Sequence, residues 1–174
     1  SGEKMFQNIY TAQGGNGMIA FASCFPGSIR AFNIRPGQEM IFQKSAFLAS
    51  EAGVQLSVHF HKKVASGLFG GEGFVLQKAT GNGKIFLEVD GDIIQKDLAP
   101  GEIIKANTGN VVAFEPSVSY GIETISGLGN IFLGGEGLFL TKLVGPGKVI
   151  LQSQNFKDFA GRLIPYMPRT TNNN

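Results

Sequence analysis

The sequence predicts an all-β protein assembled from tandem units of about 64 residues, and three observations carry that prediction. Glycine is abundant, long stretches of the chain recur in a fixed register, and apolar residues alternate in short runs separated by turn residues. The 25 glycines among 174 residues are about twice the usual share. A backbone that takes positive φ this often is one with many tight turns and bulges.

The recurrence is the strongest of the three. "FGGEGFVLQKATGNGKIFLEV" begins at Phe69, and "LGGEGLFLTKLVGPGKVILQS" begins at Leu133, 64 residues later. Gly70/Gly134, Gly71/Gly135, Glu72/Glu136, Gly73/Gly137, Leu76/Leu140, Lys78/Lys142, Gly81/Gly145, Gly83/Gly147, Lys84/Lys148 and Leu87/Leu151 are identical pairs in one ungapped register. The same offset relates Gly27/Gly91, Pro36-Gly37/Pro100-Gly101 and Glu51/Glu115, while "NVVAFE" lies over "SAFLASE" with one residue of slack. Upstream, "SGEKMFQNIYTAQGGNGMI" echoes "GGEGFVLQKATGNGKI", so a Gly-Glu pair occurs at Gly2, Gly71 and Gly135. Repeats at this spacing indicate tandem supersecondary units. The division read from them is a first unit over 1–69, a second over 70–133, the start of a third over 134–153 and a C-terminal extension over 154–174.

Within a unit the apolar period is two, the mark of strands with one buried face. In "KIFLEVDGDII" the pair Asp90-Gly91 stands between apolar runs and predicts a β-hairpin. "FVLQK" and "LFLTK" run into "TGNG" and "VGPG", where Gly supplies positive φ and Pro146 presets its own; these read as equivalent hairpins. "NVVAFE" and "SVSYGIET" flank Pro116, which a central strand would not tolerate. Short runs broken this regularly indicate a sandwich or a barrel. The exception is "SQNFKDFAGRLI", where Phe156, Phe159 and Leu163 have helical spacing after a capping Asn155, and one short helix is predicted there.

Composition narrows the functional classes. An apolar fraction of 43% with 16% charged residues argues against disorder and points to apolar surface covered by another subunit. With no Trp and 15 Phe, phenylalanine supplies the aromatic core. A net charge of +2 with scattered Lys and Arg, of which Lys62-Lys63 is the lone adjacent Lys pair, lacks the basic stripe of a nucleic-acid binder. The single Cys24, in the apolar run "MIAFASCF", forms no intramolecular disulfide and is expected to be a buried, inert thiol. A reduced, cytoplasmic setting fits. The uncharged stretch from Met5 to Ile29 is broken by Gly14, Gly15, Gly17 and Pro26, too often for the ~20-residue run of a membrane span. The start "SGEKMF" has no signal-peptide pattern and reads as a processed or excised boundary. The tail "TTNNN" reads as frayed.

The ordered series "SGEKMFQNIY", "FPGSI", "FLASEAGVQL", "GGEGFVLQKATGNGKIFL", "VVAFEPSVSY" and "GGEGLFLTKLVGPGKVILQ" resembles the mitochondrial-biogenesis family typified by altered inheritance of mitochondria protein twenty-four. The resemblance runs from Ser1 to about Ser153. It implies a fold like that of the tryptophan RNA-binding attenuation protein (TRAP), with three tandem β units per chain and assembly into closed oligomers, trimers foremost. Against the family pattern, the half-unit that would precede Ser1 is not in the sequence, which reads either as a fragment or as a shorter member whose first unit is completed differently; an incomplete unit would leave an unpaired strand edge. The resemblance implies no established activity for a bacterial member and, for the mitochondrial relative, support of inner-membrane organisation through protein contacts. It carries over no catalytic residue.

The chemistry-bearing residues are few. His59 and His61, in "SVHFHKK", share a strand face by period two, but a Zn or Cu site needs three or four ligands; they read as exposed or interface histidines, with a metal site as the sharper alternative. Gly71-Glu72-Gly73 and Gly135-Glu136-Gly137 invite a phosphate-loop reading. However, neither ends in Lys-Ser/Thr, and a carboxylate in an anion nest is electrostatically wrong. Their repetition makes them structural, with Glu72 and Glu136 accepting hydrogen bonds at unit junctions. Glu88, Asp90 and Asp92 alternate on the predicted hairpin, which solvent exposure explains as well as paired-carboxylate acid–base chemistry does. No nucleophile elbow or Cys–His signature occurs, so neither an enzyme nor a cofactor is expected. The repeated lysines Lys78, Lys84, Lys142 and Lys148 would become a basic ring in a cyclic assembly, and RNA or another polyanion is the alternative ligand. The leading expectation is a non-catalytic scaffold or interaction module, closed as a homo-oligomer, with an unidentified protein partner.

Overall fold

The computed structural model of the protein describes residues 7–62, 74–124 and 139–168. They form strands β1 (Gly27–Ile34), β2 (Met40–Gln43), β3 (Phe47–Ser50), β4 (Val54–Lys62), β5 (Phe74–Gly81), β6 (Gly83–Asp90), β7 (Ile93–Leu98), β8 (Ile103–Asn107), β9 (Val111–Phe114), β10 (Ser119–Thr124), β11 (Phe139–Val144) and β12 (Gly147–Gln152). One helix, α1 (Phe156–Leu163), follows. The β class and the short C-terminal helix are as the sequence predicts. Pro116 falls between β9 and β10, outside any ladder.

The strands make three sheets, all with antiparallel pairings. The central sheet has six strands in the order β4-β5-β2-β9-β12-β7, and two three-stranded sheets have the orders β1-β6-β3 and β10-β11-β8. Among the described residues all three are open, so the barrel alternative is not what forms there. One face of the central sheet packs on β1-β6-β3 through Ile34, Phe42, Ile85, Leu87, Val89, Ala113 and Ile150. The other face packs on β10-β11-β8 through Ile41, Leu76, Phe114, Leu143, Val149 and Leu151.

This layering explains why the strands read differently. A strand covered on both faces is written as a continuous apolar run: Val111 to Phe114 in β9 are all buried, and in β12 Val149 and Leu151 enter one core while Ile150 enters the other. Strands of an outer sheet alternate. In β6, Ile85, Leu87 and Val89 point inward, with Lys84, Phe86, Glu88 and Asp90 less buried between them.

The hairpins predicted at Asp90-Gly91, "TGNG" and "VGPG" are corrected by the pairings. β5 lies in the central sheet and β6 in an outer one; β11 is in an outer sheet and β12 in the central one. β6 pairs with β1 and β3, whereas β7 runs its whole length against β12, from Gly147↔Leu98 to Gln152↔Ile93. Each turn is therefore an arch between layers. Turn chemistry reports that the chain reverses, but the strands then follow their apolar faces to opposite sides of a core rather than to each other.

One polar device recurs at the repeat offset. Glu51 Oε2 accepts the backbone N–H of Lys84 at 2.8 Å, and Glu115 Oε2 accepts that of Lys148 at 2.9 Å. The backbone N–H of each glutamate donates to the same lysine's carbonyl, at 2.9 and 3.0 Å. Gly83 and Gly147 sit against these carboxylates, where a Cβ would crowd them at 3.1 and 3.3 Å. The identity of Lys84 and Lys148 thus coincides with a backbone role. Glu51→Ala and Glu115→Ala should each lower stability by about 1 kcal/mol, and by nearly equal amounts, which denaturant titration of the two variants would check.

Candidate functional site

Chemically distinctive surface in this protein is strand edge and uncovered apolar side chain. The reference point is the β2–β9 ladder, which joins the central sheet through Ile41↔Phe114 and Phe42↔Ala113. All four residues are buried. A polar seam locks the ladder's end. Gln43 Nε2 donates to the Thr108 carbonyl, Ser45 Oγ lies 3.2 Å from Gln43 Oε1, and Thr141 Oγ1 donates to Thr108 Oγ1 at 3.1 Å. Buried hydroxyls and amides are retained where each finds a partner.

The strands at equivalent offsets, β3 and β8, are sheet edges among the described residues. Phe47, Leu48, Ala49 and Ser50 are half-buried, whereas their counterparts Val111, Val112, Ala113 and Phe114 are buried. In β8, Ile103 is 52% exposed. Lys105 points outward to an ion pair with Glu123 at 2.7 Å, and that hydrogen bond holds the Glu123 carboxyl below the usual range, with Lys142 adding its charge.

Two further apolar features lie outside the sheets. Residues 7–26 have no strand or helix; within them Tyr10 meets Phe21 edge-on at 5.9 Å, while Ile9 and Met18 are almost wholly exposed. Helix α1 is held by its N-terminus, as the sequence predicts. Asn155 Oδ1 accepts the Asp158 N–H at 2.9 Å, and Asn155 Nδ2 donates to Asn110 Oδ1 at 2.8 Å. Phe25 packs against Phe156 and Phe159 at 5.9 and 5.2 Å. Even so, Phe156, Leu163, Ile164 and Met167 remain exposed. No helix among the described residues is long and apolar enough to cross a membrane.

The residues singled out from sequence fall as follows. Gly71, Glu72, Gly73, Gly135, Glu136 and Gly137 lie outside the described residues; Glu51 and Glu115 make the recurrent carboxylate-to-backbone contacts within them. Lys78 on β5 pairs with Glu39 at 2.9 Å, and Lys148 on β12 stands 3.9 Å from Asp97. Lys84 is on β6 and Lys142 on β11, so the four are distributed over three sheets. His59 is exposed at an irregularity where Val58 pairs with Gln77 and Phe60 with Leu76. Its ring lies 6.1 Å from that of Tyr120, which also meets Phe60 and Phe114. Burial raises the Tyr120 hydroxyl's pKa. The His61 side chain lies outside the described residues. Among those described, no three His, Cys, Asp or Glu side chains gather as metal ligands. Glu88 and Asp90, for which solvent exposure is one reading, are half-buried, and burial raises both carboxyls above their ordinary range. Cys24 is exposed rather than buried: its apolar neighbours lie on the segment outside the sheets.

This arrangement of open, layered sheets has relatives. The sequence model of the family described as Mitochondrial biogenesis AIM24 matches residues 1–154. The chain belongs to that family. An uncharacterized protein of Streptococcus pyogenes serotype M6 is 31% identical over 173 residues, covering 99% of this chain and 68% of its own. A crystal structure of a protein from Streptococcus pyogenes superposes with a TM-score of 0.67 at 24% identity, over 83% of this chain and 62% of that one. The AIM24 chain described here therefore spans about two thirds of the length of these relatives, and the structural likeness concerns fold alone.

Proposed function

We propose that this AIM24-family chain is a non-catalytic scaffold of tandem TRAP-like units that acts as a closed homo-oligomer, a trimer foremost. Support for the tandem reading comes from the correspondence of β2 with β8, β3 with β9, β4 with β10, β5 with β11 and β6 with β12 at the repeat offset, together with the paired Glu51 and Glu115 contacts. The observation that carries the scaffold reading is the amount of large apolar side chain left uncovered on well-formed elements, including Ile94 and Ile103 on strands and Phe156, Leu163 and Ile164 at the helix. Apolar surface of this kind marks contact with another macromolecule, and open strand edges supply the directional part of such contact.

Native mass spectrometry of the purified chain at micromolar concentration tests the proposal. A single stoichiometric homo-oligomer is the expected result. A clean monomer would overturn it.

A further inference from the structure

We infer that the uncovered apolar face of helix α1, with the turn that follows it, docks on an anionic lipid surface. The inference goes beyond the scaffold reading. It assigns the helix's share of the exposed apolar surface to lipid and leaves Ile94 and Ile103 to contacts between copies. The helix begins at Phe156, beyond residues 1–154 that match the family.

The orientation of α1 is reversed for a helix on a sheet protein in water. Such a helix turns an apolar stripe to the core and its charges to solvent. Here no residue of α1 is buried, and a charged residue makes the contact with the body. Asp158 Oδ2 accepts Asn155 Nδ2 at 2.8 Å and Asn107 Nδ2 at 3.2 Å. By the 3.6-residue period, Phe156, Phe159 and Leu163 form a stripe on the side away from Asp158. Phe25 packs against the first two, yet all three stay exposed. The 3-10 turn Ile164–Tyr166 continues the apolar surface, with Ile164 67% and Tyr166 86% exposed and Met167 exposed beside them.

Charge favours a lipid headgroup layer as the occupant. Lys157 and Arg162 are exposed, and the helical period sets them on opposite borders of the stripe. Of the acids near the helix, Asp158 is turned to the two asparagines, and Asp90 accepts the Phe156 N–H. An apolar stripe with cations on both borders is the pattern of a helix lying in the plane of a membrane interface. Tyr166 carries an apolar ring and a polar tip, which suits the same boundary. Basic side chains held there are drawn to anionic headgroups. A helix this short holds weakly alone, and several on one oligomer would add their holds.

Co-sedimentation of the full chain with vesicles tests the inference, with one set of phosphatidylcholine alone and one of equal parts phosphatidylcholine and phosphatidylglycerol. The expected result is binding to the mixed vesicles and little to the neutral ones. Binding should reverse in about 0.5 M salt, where the reach of surface charge shrinks to a few Å. Lys157→Gln and Arg162→Gln should each weaken it about fivefold. Ile164→Asp combined with Tyr166→Asp should abolish it; both side chains are exposed, so circular dichroism should match the parent. No binding of the parent to mixed vesicles overturns the inference, as does equal binding to neutral ones or binding that the double aspartate variant retains. Loss of a native oligomer in that variant would assign the face to a second copy and overturn it too. Failure on vesicles with the oligomer intact leaves the homo-oligomer reading standing.

Discussion

Phe42→Ala should remove roughly 3–5 kcal/mol of folding stability, the cost of emptying a well-packed aromatic site. Phe42 is 0% exposed. Its ring fills the core between the central sheet and β1-β6-β3, among Ile34, Ile85, Leu87, Val89 and Ile150, and lies 6.3 Å from the ring of Phe47. Its backbone also belongs to two ladders at once, facing Gln77 on β5 and Ala113 on β9. Neighbours held on both sides cannot collapse into the void, which places the cost high in the range. Phe42→Leu, which keeps much of the volume, should be distinctly milder. Denaturant titration decides the matter: the midpoint should fall strongly for the alanine variant with an unchanged slope. A loss below about 1 kcal/mol would show that the ladder's core is not packed as described.

Gly81→Ala is expected to be strongly damaging for the addition of a single methyl group. Gly81 has φ +104, and a Cβ there would lie 2.2 Å from the carbonyl oxygen of Gly53. That oxygen is already engaged, because it accepts the Asn82 N–H at 2.9 Å. The alanine must force a backbone region that L-residues avoid, at roughly 1–3 kcal/mol, and must also displace the Gly53 peptide that starts β4. Gly121→Ala is the matched control, since a Cβ at Gly121 meets nothing within 4 Å; it should stay within about 0.5 kcal/mol of the parent. Equal melting temperatures for the two variants would refute the account of the β5-to-β6 arch.

Fold class was legible because it rests on local rules. Period-two patterning identified β6, Pro116 marked the end of β9, and Asn155 with Phe156, Phe159 and Leu163 announced α1. Pairing was not legible. Alternation says which residues face a core but not which strand lies alongside, so Asp90-Gly91 read as a hairpin although β7 finds β12. Cys24 misled for a related reason, since apolar composition expresses a preference for burial, and the 7–26 segment stands outside the sheets that could satisfy it. Strand edges are harder still, being defined by what does not lie beside them. Here a signal did exist: Lys105 and Ser50 stand where the equivalent positions hold Ile41 and Phe114. The difference between two copies of a pattern located the candidate surface better than their identities did.

The interleaved central sheet also governs how the chain acquires its structure. Its middle ladder joins Ile41 to Phe114, so the residues that bury both cores come together only after a long intervening segment has been closed into a loop. Topologies dominated by such distant pairings fold slowly. Val112, Ala113 and Ile150 complete a core otherwise built from the N-terminal strands, while Ile41, Phe74 and Leu76 complete the other, so the interior of each half is finished by the other half. The two halves are therefore expected to gain and lose structure in one cooperative transition.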